Sequence, residues 1–95
     1  MLKLSFPNYE FRLKKFNQKS FIFDDVRKKF VGLTAEEWVR QNCIRFLVKE
    51  KKIHKSLISV EKKINLNNTT KRVDILVYDN DGSCRLLVEC KAPNI

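Results

Sequence analysis

Apolar and polar residues alternate through two runs near the end of the chain, Val73–Tyr78 and Arg85–Cys90, on either side of Asn80-Asp81-Gly82-Ser83. Alternation predicts strands, and the Asp-Gly between them predicts a β-hairpin closed by a tight primed turn with positive φ angles. With Asp81-Gly82 as a two-residue loop, Asn80 pairs with Ser83, and counting along both strands sets Asp74 opposite Glu89. Val73, Ile75, Val77, Leu86, Val88 and Cys90 then share a wholly apolar face. Asp74, Leu76, Tyr78, Arg85, Leu87, Glu89 and Lys91 share the other.

Upstream, Thr34 through Glu50 reads as a helix. Thr34-Ala35-Glu36-Glu37 has the form of a capping box, with the Thr34 hydroxyl and the Glu37 carboxylate satisfying amides at the helix start. Ala35, Trp38, Val39, Cys43, Phe46 and Leu47 recur at three- and four-residue spacings as one apolar stripe, expected to lie on the sheet. Leu57–Leu66 alternates again. A loop at Asn67-Asn68-Thr69-Thr70 would pair Lys63 with Asp74 and Glu61 with Leu76, so Glu61 joins the charged face. Because side chains alternate, a one-residue slip would dissolve this cluster.

Residues Met1–Gly32 hold most of the aromatic residues, with Lys14, Lys15, Lys19, Lys28 and Lys29 between them. Tyr9–Leu13, Ile22-Phe23-Asp24 and Val26–Val31 read as short extended segments. Rings interleaved with lysines can stack on bases, but alternation already accounts for them as the inward face of a core-covering arm. The expected architecture is α/β, one long helix packed on an antiparallel three-stranded meander, with an arm over residues 1–33 and a core over 34–95.

Composition narrows the class. The 95 residues are 33% charged and 43% hydrophobic, as in ordinary globular chains. Twenty Lys and Arg against eleven Asp and Glu give a formal charge of +9, which suits a polyanionic partner through counterion release and equally describes a solvated basic surface. Cys43, Cys84 and Cys90 have no metal-ligand spacing and are odd in number, so free thiols in a reducing cytoplasm are expected. No run reaches the ~20 apolar residues of a membrane span, and no signal-peptide core follows Met1. His54, in the basic run Lys49–Lys55, has no ligand partner at useful spacing and reads as a surface residue.

The candidate chemistry lies on the hairpin. Two carboxylates directly across a sheet repel by up to about 1 kcal/mol. A hard divalent cation between Asp74 and Glu89 would remove that cost. Lys91, on the same face, would activate water or stabilise negative charge on a phosphate under attack. A surface ion-pair ladder is the structural alternative; it accommodates Glu89 and Lys91 but not an unneutralised Asp beside a Glu.

Asp74 followed by Glu89-Cys90-Lys91 resembles the PD-(D/E)xK nuclease superfamily. The wider wording, Leu33-Thr34-Ala35-Glu36-Glu37-Trp38-Val39-Arg40-Gln41, Arg72-Val73-Asp74-Ile75 and Leu87-Val88-Glu89-Cys90-Lys91-Ala92-Pro93, resembles the N-terminal nuclease domain of type I restriction enzyme R (HsdR) subunits. The resemblance implies a restriction-endonuclease-like fold and Mg²⁺-dependent DNA cleavage, with Mn²⁺ as a substitute. It assigns the metal to Asp74, Glu89 and the Cys90 carbonyl, with Lys91 catalytic. Glu36, from the first helix, is a further candidate ligand, against its simpler role as a favourable charge in the first helical turn. Glu61 is a catalytic candidate, against a plain cross-strand ion pair. Val73 stands where the superfamily has Pro. The family continues past the Lys into a helix with a Gln-x-x-x-Tyr signature, so this chain is expected to be part of a longer domain, with restriction-modification subunits as partners and self-pairing into a homodimer as a way to cover an exposed sheet. A catalytically silent DNA-binding or assembly module on the same scaffold is the alternative function.

Overall fold

A computed structural model of the chain describes residues 8–90, the side chain of Leu66 excepted. Six strands and one α-helix follow in order: β1 (Leu13–Phe16), β2 (Lys19–Asp24), β3 (Lys29–Gly32), α1 (Ala35–Lys49), β4 (Ile58–Leu66), β5 (Thr69–Tyr78) and β6 (Cys84–Val88), with a 3₁₀ turn at Lys55–Leu57 before β4. They form two antiparallel three-stranded sheets, β1-β2-β3 and β4-β5-β6. The fold is α/β with the expected meander at its end, and the aromatic arm is a second meander in its own right.

Several rings of that arm are occupied by the protein itself, whereas Phe16 is 61% exposed. Phe23 and Phe30 meet edge to face at 5.2 Å, with Arg12 4.5 Å from the Phe23 centroid and Lys14 4.8 Å from that of Phe30. Cation–π contacts of this kind stabilise by about 0.5–1 kcal/mol each at exposed sites, and they give Phe23 and Phe30 cationic partners within the protein. Val26–Val31 is only partly extended. Asp24 ends β2 by accepting the Val26 and Arg27 amides on Oδ1 at 2.7 and 2.9 Å, and the chain turns there before β3.

Primed turns occur, but not where Asp-Gly predicts one. Asn67 and Asn68 have φ of 49° and 65°, and Asn17 and Gln18 have 49° and 63°, the paired positive angles of a type I′ connection. Asn tolerates this region because its short amide bonds locally. The β4–β5 loop therefore closes over two residues, and β4 pairs with β5 two positions away from the expected register: Lys63 faces Arg72, Ser59 faces Leu76, and Glu61 falls between the Val60–Ile75 and Lys62–Val73 pairs, level with Asp74. An even shift keeps every side chain on its face.

At the second hairpin only Gly82 has positive φ, +88°. Its N–H donates to the Asp79 carbonyl at 2.9 Å, and the Asp79 N–H donates to Ser83 at 2.8 Å. The loop is thus one residue longer than a primed turn. A bulge restores the count: Tyr78 faces Cys84, then Val77 faces Leu86, Leu76 faces Leu87 and Ile75 faces Val88. Continued by one pair, this ladder brings Glu89 level with Asp74, as the two-residue loop also required.

The core joins Ile44 and Leu47 of α1 to Ile53, Ile58, Ile75, Val77 and Cys90, with Val39 and Cys43 packed against it. Trp38 departs from the expected stripe. It is 44% exposed and rests on Phe11, with ring centroids 5.2 Å apart. The helix instead buries Glu37, Arg40, Gln41 and Asn42 in its first half and Ile44 and Leu47 in its second. Leu86, expected in the core, is 39% exposed, whereas Leu76 on the charged face is buried. Among the described residues no helix is long and apolar enough to cross a membrane.

Gly82→Ala tests the loop. A Cβ there meets nothing within 4 Å, so the cost is conformational alone, about 1 kcal/mol, read as a lower urea midpoint with an unchanged m-value.

Candidate active site

The buried polar face of α1 begins at its cap. Thr34 Oγ1 accepts the Glu37 amide at 3.0 Å, which is the expected half of the capping box. The Glu37 carboxylate does not serve as the reciprocal cap. It accepts from Arg40 Nη1 at 2.7 Å, from Arg27 Nη2 at 2.9 Å and from Gln41 Nε2 at 3.0 Å. Glu37, Arg40 and Gln41 lie three and four residues apart, so one helix face presents an acid, a guanidinium and an amide to the interior.

Two further elements complete the cluster. Arg27, on the turn after β2, is held by Asp24 Oδ2 at 2.6 Å, and Gln41 Nε2 donates to the same oxygen at 3.0 Å. Burial pushes the Asp24 carboxyl up, but the Arg27 amide and guanidinium and the Gln41 amide outweigh it and hold its pKa below the ordinary value. From the sheet side, Asp74 Oδ1 accepts from Arg40 Nη2 at 3.2 Å, and Glu61 lies 3.4 Å from Arg40 and 3.7 Å from Arg27. Glu61 has φ of 55° in mid-strand, a left-handed backbone that a non-glycine residue adopts at a cost of about 1–2 kcal/mol. Asp24, Glu37, Glu61 and Asp74 against Arg27 and Arg40 leave a formal charge of −2.

The structure brings together part of the expected constellation. The second oxygen of Asp74 accepts the Cys90 backbone N–H at 2.6 Å, which fastens the end of β6 to the middle of β5. The Glu89 carboxylate pairs with Lys71 at 2.6 Å. Glu36 is half exposed, 3.6 Å from Arg40. Glu61 is closer to Asp74 in register than expected. Lys91 lies outside the described residues, as does the Ala92-Pro93 wording. His54 is exposed as expected, and its Nδ1 accepts the Ser56 amide at 3.2 Å, capping the 3₁₀ turn.

Three functional candidates escaped sequence reasoning: Arg40, Arg27 and Asp24. The available signal was Glu37-x-x-Arg40-Gln41, a polar triplet at helical spacing on the side away from Trp38. Cys90 also does more than lend a backbone. Its buried thiol is pushed up by hydrogen bonding to Cys43, by burial and by the nearby Asp74, while the same bond eases Cys43 downward.

Oxygen donors and a −2 charge suit a hard divalent cation in kind. Among the described residues no three His, Cys, Asp or Glu side chains converge as a ready metal shell; the Arg40 guanidinium stands among them. A cleft of about 520 Å³ lies further along α1, between Arg45, Lys49, Ile53 and His54, and meets the cluster at Gln41.

Folded-state depression of the Asp24 pKa fixes the sign of a pH dependence. The stabilisation is complete above the unfolded value of 3.8 and disappears as pH falls through the lower folded value. Asp24→Asn should therefore lower stability at pH 7 by about 3 kcal/mol, as removal of one partner of a buried pair does, and should flatten the acid limb below about pH 4 in urea unfolding. An unchanged acid limb would show that Asp24 does not carry it.

Comparison with known proteins adds one finding. The model of the family described as type I restriction enzyme R protein N terminus (HSDR_N) matches residues 35–95, which take in Glu37, Arg40, Glu61, Asp74 and Glu89 but not Asp24 or Arg27. No match was found among curated proteins or among solved structures.

Proposed function

The chain belongs to the family of type I restriction enzyme R protein N termini, and from that premise we propose that it carries a divalent-metal-dependent DNA endonuclease centre of the PD-(D/E)xK kind. The observation that carries the reading is the β5–β6 ladder, which leads Glu89 to the level of Asp74 and sets the Cys90 amide on the Asp74 carboxylate. Asp74, Glu89 and the Cys90 carbonyl are the donors for Mg²⁺, with Mn²⁺ as substitute, and one divalent ion matches the −2 charge of the cluster. When bound, the ion supplies Lewis acidity toward a phosphodiester and a more acidic water.

The chain's own residues have separable tasks. The Cys90 amide keeps Asp74 from rotating away. Lys91 opposes the negative charge that grows on the phosphate. Glu61, level with Asp74 on β4, orients water, and Glu36 at the start of α1 reaches the ion through water. Lys14, Lys15, Lys19 and Lys29 on the first sheet and Lys28 in its β2–β3 turn, all exposed, offer phosphate contacts whose binding would weaken with salt.

A second reading has its own observation. Arg27 and Arg40 already pair the carboxylates, as they would in a catalytically silent DNA-binding or assembly module. That module would bind DNA in a salt-sensitive way regardless of Asp74, Glu89 or Lys91.

Calorimetric titration with Mn²⁺ separates the two. The wild-type chain should take up Mn²⁺ and Asp74→Asn should not, while Lys91→Ala should retain Mn²⁺ and lose about 10²-fold or more in Mg²⁺-dependent nicking of supercoiled DNA. DNA binding without Mn²⁺ uptake in the wild type assigns the chain to the silent module.

A further inference from the structure

We propose that Arg40 is a resident counter-cation of the carboxylate cluster, seated where a divalent ion binds, so that metal uptake is an exchange in which the guanidinium leaves Asp74. The inference rests on the metal-centre reading and adds a residue that reading does not use.

The geometry of Asp74 is the first argument. One carboxylate oxygen is committed to the Cys90 amide at 2.6 Å, and Arg40 Nη2 stands on the other at 3.2 Å. A metal ion that ligates Asp74 through this second oxygen meets a fixed positive charge, and two cations on one half-buried oxygen repel. Arginine stays protonated at any working pH, so it cannot yield by losing its proton; it has to move.

The contacts of Arg40 show how it can. Its bond to Glu37 is short, 2.7 Å, whereas Asp74, Glu61 and Glu36 lie at 3.2, 3.4 and 3.6 Å. Glu37 is therefore the anchor and the sheet-side contacts are the looser ones. In addition, Arg40 Nε is buried with no hydrogen-bond partner, although the side chain is only 5% exposed. Buried donors are nearly always paired, so the seat satisfies this guanidinium incompletely. A pivot about Glu37 that releases Asp74 gives up the longer contacts and keeps the shortest.

The arrangement has a purpose in the absence of metal. Asp74, Glu61 and Glu37 each contact the Arg40 guanidinium, whose charge offsets the repulsion among them. Arg40 lets this part of the chain fold with its carboxylates already near one another. The cost is affinity, because each metal ion has to displace it.

Mn²⁺ titration of the wild type and of Arg40→Gln tests the exchange. The variant should melt lower in EDTA, bind Mn²⁺ about tenfold more tightly, and gain more in Tm from Mn²⁺ than the wild type does. Equal or weaker Mn²⁺ binding by folded Arg40→Gln overturns the proposal while leaving the metal centre standing. Failure of both proteins to bind removes the metal centre and the exchange together. A measurement on the wild type covers the case of a variant that does not fold: Mg²⁺ should shift the Arg40 Nε–H resonance, assigned through Arg40→Lys, with the same midpoint as the Cys90 amide. A moving Cys90 amide beside an unmoved Arg40 signal overturns the exchange.

Discussion

Two guanidiniums among four carboxylates set the relation between the parts of this protein. Asp24 ends β2, Glu37 opens α1, Glu61 stands on β4 and Asp74 on β5, and Arg27 and Arg40 join all four within 2.6–3.7 Å. Such pairs add little net stability, because desolvation offsets most of their attraction. What they impose is geometry. The apolar cluster of Ile44, Leu47, Ile58, Ile75 and Val77 tolerates small rotations of the helix, whereas directional bonds from guanidiniums that each bridge two carboxylates do not. The first half of α1 is thereby fixed by charge and the second half by packing.

The hairpin was legible for a reason that includes a compensation. Alternation in Val73–Tyr78 and Arg85–Cys90 located both strands, and the inferred pairing of Asp74 with Glu89 agrees with the ladder. The route was different: a longer loop ending in Gly82 and a bulge between Tyr78 and Val77 displace the register in opposite directions. Core packing of Ile75 and Val77 on one face constrains the middle of the strand more strongly than turn chemistry constrains its end. At the β4–β5 connection, Asn67-Asn68 carried the primed turn, so the same rule applied at a different pair of residues.

The helix face was not legible because hydropathy alone selects the wrong side. Trp38 looks like core, yet it is exposed against Phe11, and the interior receives Glu37, Arg40 and Gln41. An apolar stripe identifies the buried face only when the opposing surface is apolar too. Here Asp24, Arg27, Glu61 and Asp74 face it, and each is distant in sequence from the helix. Nothing local in Val26–Val31 indicates that Arg27 will reach Glu37 either, since that contact depends on the Asp24 turn placing it there.

Charge then connects the site to the molecule as a whole. The chain carries +9, a field that draws polyanions in, while the cluster at Asp74 is locally negative. On the nuclease reading, a phosphate attracted to the surface is repelled at the final few ångströms unless a cation has entered. Arg40 alone does not reverse that sign, because the four carboxylates exceed the two guanidiniums. A divalent ion would bring the cluster to neutrality, and release of the Arg40 guanidinium from Asp74 would turn a second positive group from internal pairing toward the incoming phosphate. Metal and DNA would then bind with positive coupling, which by reciprocity requires DNA to strengthen metal binding by the same factor.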